Sequence, residues 1–272
     1  MRFRILSVPK SLCLAVSWNL YQPTDSSSVE LTSKNMDCNI SIAMATFNGE
    51  KHIVEQLESL ASQTLLPEKL IVTDDGSQDE TLDLIEKFKN HLGFPVQIIR
   101  NDIRLGYGRN FLKAASLSQS KYVAFCDQDD IWHPDKLSLV YEVITKKDYD
   151  LIVHGGKVVD ASLVESGEYF PKVEEGVINL SRYSKMFIPG YAMTINRDLL
   201  KKLNYESRIA AEDTSFEHDL WIWKSVLYED GFTCYGINKH LVLYRQHDSN
   251  VIGFSALVSS KRHATNEKQA MD

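Results

Sequence analysis

The 272-residue chain has no run of roughly 18 apolar residues, the length a helix needs to cross a bilayer. It also lacks an excess of positive charge. The net charge is −7, and no basic stripe with interleaved aromatics occurs, which excludes a general nucleic-acid binder. Cysteine is scarce: Cys13, Cys38, Cys126 and Cys234 stand apart, with neither CxxC nor Cys/His spacing for zinc. That usage fits a reducing cytoplasm. Both common phosphate-cradling loops are missing. Gly106-Tyr107-Gly108 has no third glycine in place for GxGxxG, and there is no GxxxxGK[ST]. A nucleotide bound here must be held by carboxylates, a metal and scattered amides. No internal repeat is present.

What is present is an alternation of strands and helices. Residues 39–46 read as a buried strand, Ile53 to Ser62 as a helix, and Lys69 to Thr73 as a second strand. A helix over Thr81 to Asn90, a strand over Val96 to Ile99, a helix over Gly106 to Leu117 and a strand over Tyr122 to Cys126 follow. Short loops between such elements imply an α/β fold, a mostly parallel sheet with helices on both faces. Residues 1–37 read as a weakly ordered N-terminal extension with a Pro/Ser linker, and Met36 reads as the true start of translation. Residues 38–253 form the domain, divided into 38–135 and a smaller half, 136–253; residues 254–272 form a polar tail.

The chemistry concentrates in Tyr122-Val123-Ala124-Phe125-Cys126-Asp127-Gln128-Asp129-Asp130. Carboxylates at the mouth of a buried strand repel one another and resist desolvation unless a positive group sits among them. A hard divalent cation, Mg²⁺ or Mn²⁺, suits oxygen ligands and can also hold substrate phosphates. The competing assignment is an acidic loop in which Asp130 or Asp135 caps a helix near Pro134. The second strand ends likewise in Asp74-Asp75, and ligands of open α/β sheets bind at the carboxyl ends of strands. Both clusters should therefore share one rim. Asp79 is expected to cap the helix at Thr81.

The second half is less regular. Leu151 to Val159 reads as a strand and residues 162–176 as an acidic loop. A turn at Pro189-Gly190 feeds a strand to Ile195, and Arg197 to Leu203 reads as a helix. Phe216 to Tyr228 forms a helix carrying His218, Asp219, Trp221 and Trp223. Thr233 to Gly236 and His240 to Arg245 read as two short strands. At a spacing of two, only one of Trp221 and Trp223 can face a ligand, leaving the other for the core. Trp221, Trp223 and Tyr191 are the aromatics available as an apolar platform for a ligand. His52 and His154 read as ordinary structural residues.

Taken in order, NISIAMATFN (39–48), VTDDGSQD (72–79), Asn101 through Asn110, DQDD (127–130), Gly190, HDLW (218–221) and YRQH (244–247) resemble the family 2 glycosyltransferases of GT-A fold. The flavour of DQDD and HDLW is similar to rhamnosyltransferase-like members that build bacterial surface polysaccharides such as O-antigen or capsule. The resemblance implies metal-dependent, inverting transfer of a sugar from a nucleoside-diphosphate sugar, dTDP-rhamnose among the candidates, to a saccharide or lipid-linked saccharide. It places Thr46, Asp74 and Asp75 at the base and ribose, and Arg104 and Asn110 at the nucleotide or its supporting loop. Asp127 and Asp129 become the DxD pair on Mg²⁺ or Mn²⁺. Arg245 falls at the diphosphate and His247 beside the metal, although His247 also suits a plain loop hydrogen bond and Arg104 a surface ion pair. Asp219 corresponds to the general base; Asp213 is the second candidate, for which turn capping is the simpler assignment.

The implied location is cytoplasmic, with peripheral contact to the inner face of the membrane through basic residues such as Lys261 and Arg262. Two other functions compete. A nucleotidyltransferase needs a Gly-rich basic loop after the first strand, and residues 46–49 hold one glycine. A non-catalytic nucleotide-sugar-binding module has no need for both the DxD pair and Asp219.

Overall fold

The computed structural model describes residues 38–248 and 250; the expectations for the leader, for Met36 and for Lys261 and Arg262 lie outside them. In chain order the elements are β1 (Ile40–Thr46), α1 (Ile53–Ala61), β2 (Lys69–Asp74), α2 (Thr81–Phe88), β3 (Val96–Arg100), α3 (Tyr107–Ser116), β4 (Tyr122–Cys126) and β5 (Ile131–Trp132). Then follow α4 (Lys136–Ile144), β6 (Leu151–Asp160), β7 (Glu165–Phe170), β8 (Gly176–Val177), β9 (Met193–Asn196), α5 (Arg197–Lys202), α6 (Tyr205–Ala210), α7 (His218–Tyr228) and β10 (Cys234–Gln246).

One sheet runs β3-β2-β1-β4-β9-β6-β10-β5, with β7 attached to β6 and β8 to β10. The strands β3, β2, β1 and β4 are parallel, as the alternation predicts. The reversal comes at β9, which lies antiparallel between β4 and β6. Every residue of β1 and β4 is buried, which is why both read as continuous apolar runs with no polar face. Thr46 pairs with Asp74 and Met44 with Cys126, so Asp75 and Asp127 leave the sheet on the same rim. Among the described residues no helix is long and apolar enough to cross a membrane.

Several elements differ from the expected pattern for identifiable reasons. The stretch read as an acidic loop contains β7, whose first five residues are exposed, so it has no apolar alternation to read. The two short strands near the end are one, β10. Its pairing with β6 shifts register between Ile237 and His240 and again before Leu243, and these irregularities absorb the polar Asn238-Lys239 break. Helix α7 begins at His218 rather than Phe216. Asp79 does serve the start of α2: its carboxylate accepts the Thr81 N–H at 3.1 Å. Neither Asp130 nor Asp135 caps α4 with its side chain. Asp130 instead accepts the Arg245 backbone N–H at 2.9 Å, and Asp135 accepts the Thr64 hydroxyl at 3.0 Å.

The rim is braced from below by Asn110 on α3. Its Nδ2 donates to the Thr73 carbonyl at 2.8 Å and its Oδ1 accepts from Asn101 at 2.8 Å, while its own carbonyl accepts the Thr73 hydroxyl at 2.8 Å. Removing that amide leaves buried carbonyl and amide groups unpaired. Asn110→Ala is expected to destabilise the protein by about 3 kcal/mol, seen as a lower urea midpoint with unchanged slope. A change under about 0.5 kcal/mol would mean water replaces the amide.

Candidate active site

A cleft of about 760 Å³ opens along the rim. Thr46, Phe47, Asp75 and Arg104 line it beside β1 and β2; Asp127, Gln128, Asp129 and Asn250 line it beyond β4; Gly190, Tyr191, His218 and Asp219 line it at the start of α7.

At the β2 end the two adjacent aspartates have different tasks. Asp74 is fully buried. It accepts the Thr46 hydroxyl at 2.9 Å, the Gly76 and Ser77 N–H groups at 3.0 and 2.8 Å, and the Ser77 hydroxyl. With four hydrogen bonds accepted and no place in the cleft lining, Asp74 organises the turn, whereas the motif had placed it at the base and ribose. Asp75 does face the cleft, held by the Leu105 and Gly106 N–H groups at 2.6 and 2.8 Å and by Asn101 at 3.1 Å. Thr46 sits at the same wall with its hydroxyl turned to Asp74. Arg104 lies at the mouth, its guanidinium 4.0 Å from the centre of the Phe47 ring and 4.0 Å from Asp75. A flat cation over a ring beside a carboxylate is suited to a planar base. Asn110 borders the cleft, but its amide is spent on Thr73 and Asn101, so it braces the loops beside the cleft.

At the β4 end, Asp127 opens to the cleft but lies deep in the protein. Burial is the main cause that raises its carboxyl above the usual range, followed by the charges of Asp129 and Asp219. Asp130, fully buried, is raised for the same first reason, and its Oδ2 has no hydrogen-bond partner. Asp129 meets the imidazole of His247, with Nε2 to Oδ2 at 2.8 Å. His247 thus has its Nε2 engaged by that carboxylate. Among the described residues no three His, Cys, Asp or Glu groups converge as a ready cage. Two cleft-facing carboxylates still fit Mg²⁺ or Mn²⁺, because such ions keep several waters and take one or two protein carboxylates plus substrate phosphates. Arg245, which the motif had placed at the diphosphate, is committed to protein partners. It is 2% exposed; its Nε donates to the Asp129 carbonyl at 2.8 Å, and its other nitrogens reach the Ala161 carbonyl at 3.1 Å and the Glu55 carboxylate. Its work is to fix the acidic loop.

Two supports went unread in the sequence. The Gln128 amide bridges the loops after β1 and β4, accepting the Phe47 N–H at 3.0 Å and donating to the Phe47 carbonyl at 3.1 Å. Lys136 is wholly buried beneath the cluster, its ammonium on the Tyr191 carbonyl at 2.9 Å and 3.5 Å from the centre of the Trp132 ring. Burial drives its pKa down to about 7, against the opposing pull of Cys126, Asp130 and Asp127. The signal was its phase: Lys136 shares the inward stripe of α4 with Leu137, Val140 and Val143.

At the α7 end, Asp219 is 7% exposed and lines the cleft. Its Oδ2 accepts the Gly190 N–H at 3.1 Å and its Oδ1 the Leu220 N–H at 2.8 Å. Burial raises its pKa to about 6, and these backbone N–H groups oppose the rise. The sequence expectation was that the helix start keeps it ionised; burial raises its pKa but leaves the carboxylate the main form at neutral pH. A carboxylate of this kind, ionised above about pH 6 and facing a ligand cleft, is suited to accept a proton. Asp213 is exposed and bonds the Ser215 N–H and hydroxyl at 2.9 and 2.7 Å, the turn role expected of it. His218 stacks on Phe111 with centroids 4.4 Å apart, and burial lowers its pKa to about 3, so it is a neutral packing ring. Of the tryptophans, Trp223 is the core residue, with its indole N–H on the Met186 carbonyl, and Trp221 packs against Phe216.

This arrangement agrees with the comparisons to known proteins. The family model described as glycosyl transferase family 2 matches residues 41–203. The chain is 30% identical over 234 residues to a dTDP-rhamnosyl transferase, RfbG, of Shigella flexneri, covering 80% of this chain and 76% of that protein. It is 33% identical over 99 residues, 36% of this chain and 38% of the other, to the UDP-Glc:alpha-D-GlcNAc-diphosphoundecaprenol beta-1,3-glucosyltransferase WfaP of Escherichia coli. Among solved structures it is similar to S. aureus TarS 1–349 in complex with UDP-GlcNAc, with a TM-score of 0.64, 23% identity, and coverage of 78% of this chain and 59% of that one. That likeness establishes the fold, GT-A, while the family match extends from β1 to the end of α5. The chain belongs to glycosyl transferase family 2 and is a glycosyltransferase.

Proposed function

We propose that this chain transfers a sugar, with inversion, from a nucleoside-diphosphate sugar to a hydroxyl of a saccharide or lipid-linked saccharide in bacterial surface-polysaccharide synthesis. The observation that carries the reading is Asp219, a buried carboxylate in the same cleft as Asp127 and close enough that its charge raises the Asp127 carboxyl. A general base and a phosphate-side carboxylate on facing walls are what single-displacement transfer requires. The relationship to RfbG makes dTDP-rhamnose a first donor to try, and WfaP makes a lipid-diphosphate saccharide a first acceptor.

In this reading Phe47, Arg104 and Asp75 receive the base and ribose. Asp127 and Asp129 hold the divalent cation, with His247 and Arg245 fixing Asp129 and its loop. The cation, when bound, offsets the charge that develops on the departing diphosphate. Asp219 takes the proton of the attacking acceptor hydroxyl, and Gly190 keeps its carboxylate turned into the cleft. A donor screen over UDP-, GDP- and dTDP-sugars, read by calorimetry with Mn²⁺ present, tests the donor class.

Asp219→Asn keeps the shape of the base and removes its basicity. Turnover should fall by about 10²-fold or more with little change in nucleotide affinity, whereas Asp213→Asn should cost little. Near-normal turnover of the Asp219 variant would remove it as the base. Because the acting form is the carboxylate and its pKa is about 6, wild-type kcat should fall as pH drops through that value. A profile flat down to pH 5 would contradict the assignment.

Asp129→Ala should weaken binding of a nucleoside-diphosphate sugar in Mn²⁺ by about tenfold or more and leave binding of the free nucleoside unchanged, since the carboxylate acts on phosphate alone. Equal donor binding with and without EDTA would remove the metal from the scheme.

A further inference from the structure

Lys136 has no surface exposed, and a lysine in that position is rare unless its charge serves a fixed geometry. Its partners define that geometry. The ammonium donates to the carbonyl of Tyr191 at 2.9 Å. The preceding residue, Gly190, donates its N–H to Asp219 at 3.1 Å. On its other side the ammonium lies over Trp132, 3.5 Å from the ring centre, two residues beyond the acidic loop. The Tyr191 ring is pinned independently, its hydroxyl on the Phe170 carbonyl and its face on Tyr244 with centroids 4.7 Å apart. The peptide carbonyl of Tyr191 is therefore what remains for Lys136 to set. Gly190 itself has no room to shift toward α7: a Cβ there would lie 2.8 Å from His218 Nε2.

We infer that Lys136 is a positioning residue for the general base: by holding the Tyr191 carbonyl against β5, it fixes the Gly190 N–H that aims Asp219 into the cleft. The inference rests on Asp219 being the base. It assigns Lys136 a role beyond offsetting the acidic loop, because the geometry runs through a backbone turn to a carboxylate on a different helix. Removing the ammonium frees the turn and loosens the Gly190 bond. That bond favours the ionised form of Asp219, so its loss moves the acidic limb of kcat to higher pH. The titratable groups that feel the charge of Asp219 are Asp127 after β4, Glu217 before α7 and Tyr107 on α3, and all three remain in place.

The test uses the full chain with Lys136→Met, which keeps length and removes charge and donor, and Lys136→Arg, which keeps charge but cannot place a single donor at the same point. Folding is checked by far-UV circular dichroism and by calorimetric binding of UDP and dTDP. For Lys136→Met, kcat should fall about 30-fold with nucleotide affinity within about threefold, and the acidic limb should rise by about half a pH unit or more. If that variant does not fold, Lys136→Arg decides: about a tenfold loss of kcat with the same limb shift is expected. Either folded variant with kcat within about threefold of wild type overturns the inference, as does a kcat loss that tracks nucleotide affinity with the limb unmoved. Asp219→Asn separates the two readings. If it is inactive while both Lys136 variants turn over normally, only the positioning role fails; if it stays active, the base assignment fails and this inference with it.

Discussion

Gathering like charges in a low-dielectric cleft is the constraint on which this site depends. Asp127, Asp130 and Asp219 are all raised above the usual carboxylate range, and burial is the first cause for each. Left alone, such groups take up protons and lose their use as ligands or bases. The protein answers with a buried lysine, Lys136, and with backbone donors: the Arg245 N–H on Asp130, and the Gly190 and Leu220 N–H groups on Asp219. The answer is graded. Asp130 keeps one oxygen unpartnered, while Asp219 has both engaged and is the less perturbed of the two.

The same accounting of donors separates framework from function among residues that look alike in sequence. Asp74 and Asp75 are adjacent acids at the end of β2. Asp74 accepts four hydrogen bonds within its own turn and from β1, and has nothing left to offer. Asp75 accepts from the loop that precedes α3, yet keeps an edge in the cleft. Arg245 and His247 follow the first pattern. Each is committed to Asp129 or its neighbours and so helps to hold that aspartate in place.

Much of this was legible before any coordinates. Strands β1 to β4 are short apolar runs bounded by polar turns, and their alternation with helices dictates parallel pairing and a shared rim. Asp127, Asp129 and Asp219 stand at strand or helix ends, where ligands gather, and they line the cleft. What sequence could not supply was orientation. Nothing local says that Asp74 turns inward and Asp75 outward, that Arg245 folds back on Glu55, or that Lys136 points beneath the carboxylates. Most depend on contacts between distant parts of the chain, such as Asp75 to Leu105 at a separation of 30 and Arg245 to Glu55 at 190. Strand β7 escaped for the opposite reason: exposed on nearly all its length, it has no pattern imposed by a core.

The loop that serves Asp75 also reaches the far end of the cleft. Gly106 donates to Asp75 and, at φ +81°, has its Cα packed so close to the segment before α7 that a Cβ would lie 2.2 Å from the Thr214 carbonyl oxygen. Gly108 meets Phe216 in the same way, at 1.9 Å. Arg109 adds hydrogen bonds from α3 to the Leu105 and Ala211 carbonyls, one on each side of that junction. No side chain fits at either glycine, so the sequence between Leu105 and Arg109 is constrained by the approach of two backbones and not by a phosphate loop. This explains why the glycines read as a broken dinucleotide motif. Their spacing answers to Thr214 and Phe216, and through them the start of α7, where Asp219 sits, is tied to the wall where Asp75 sits. The two ends of the cleft are thereby set at a fixed separation by α3, so the distance from Asp75 to Asp219 is decided by packing.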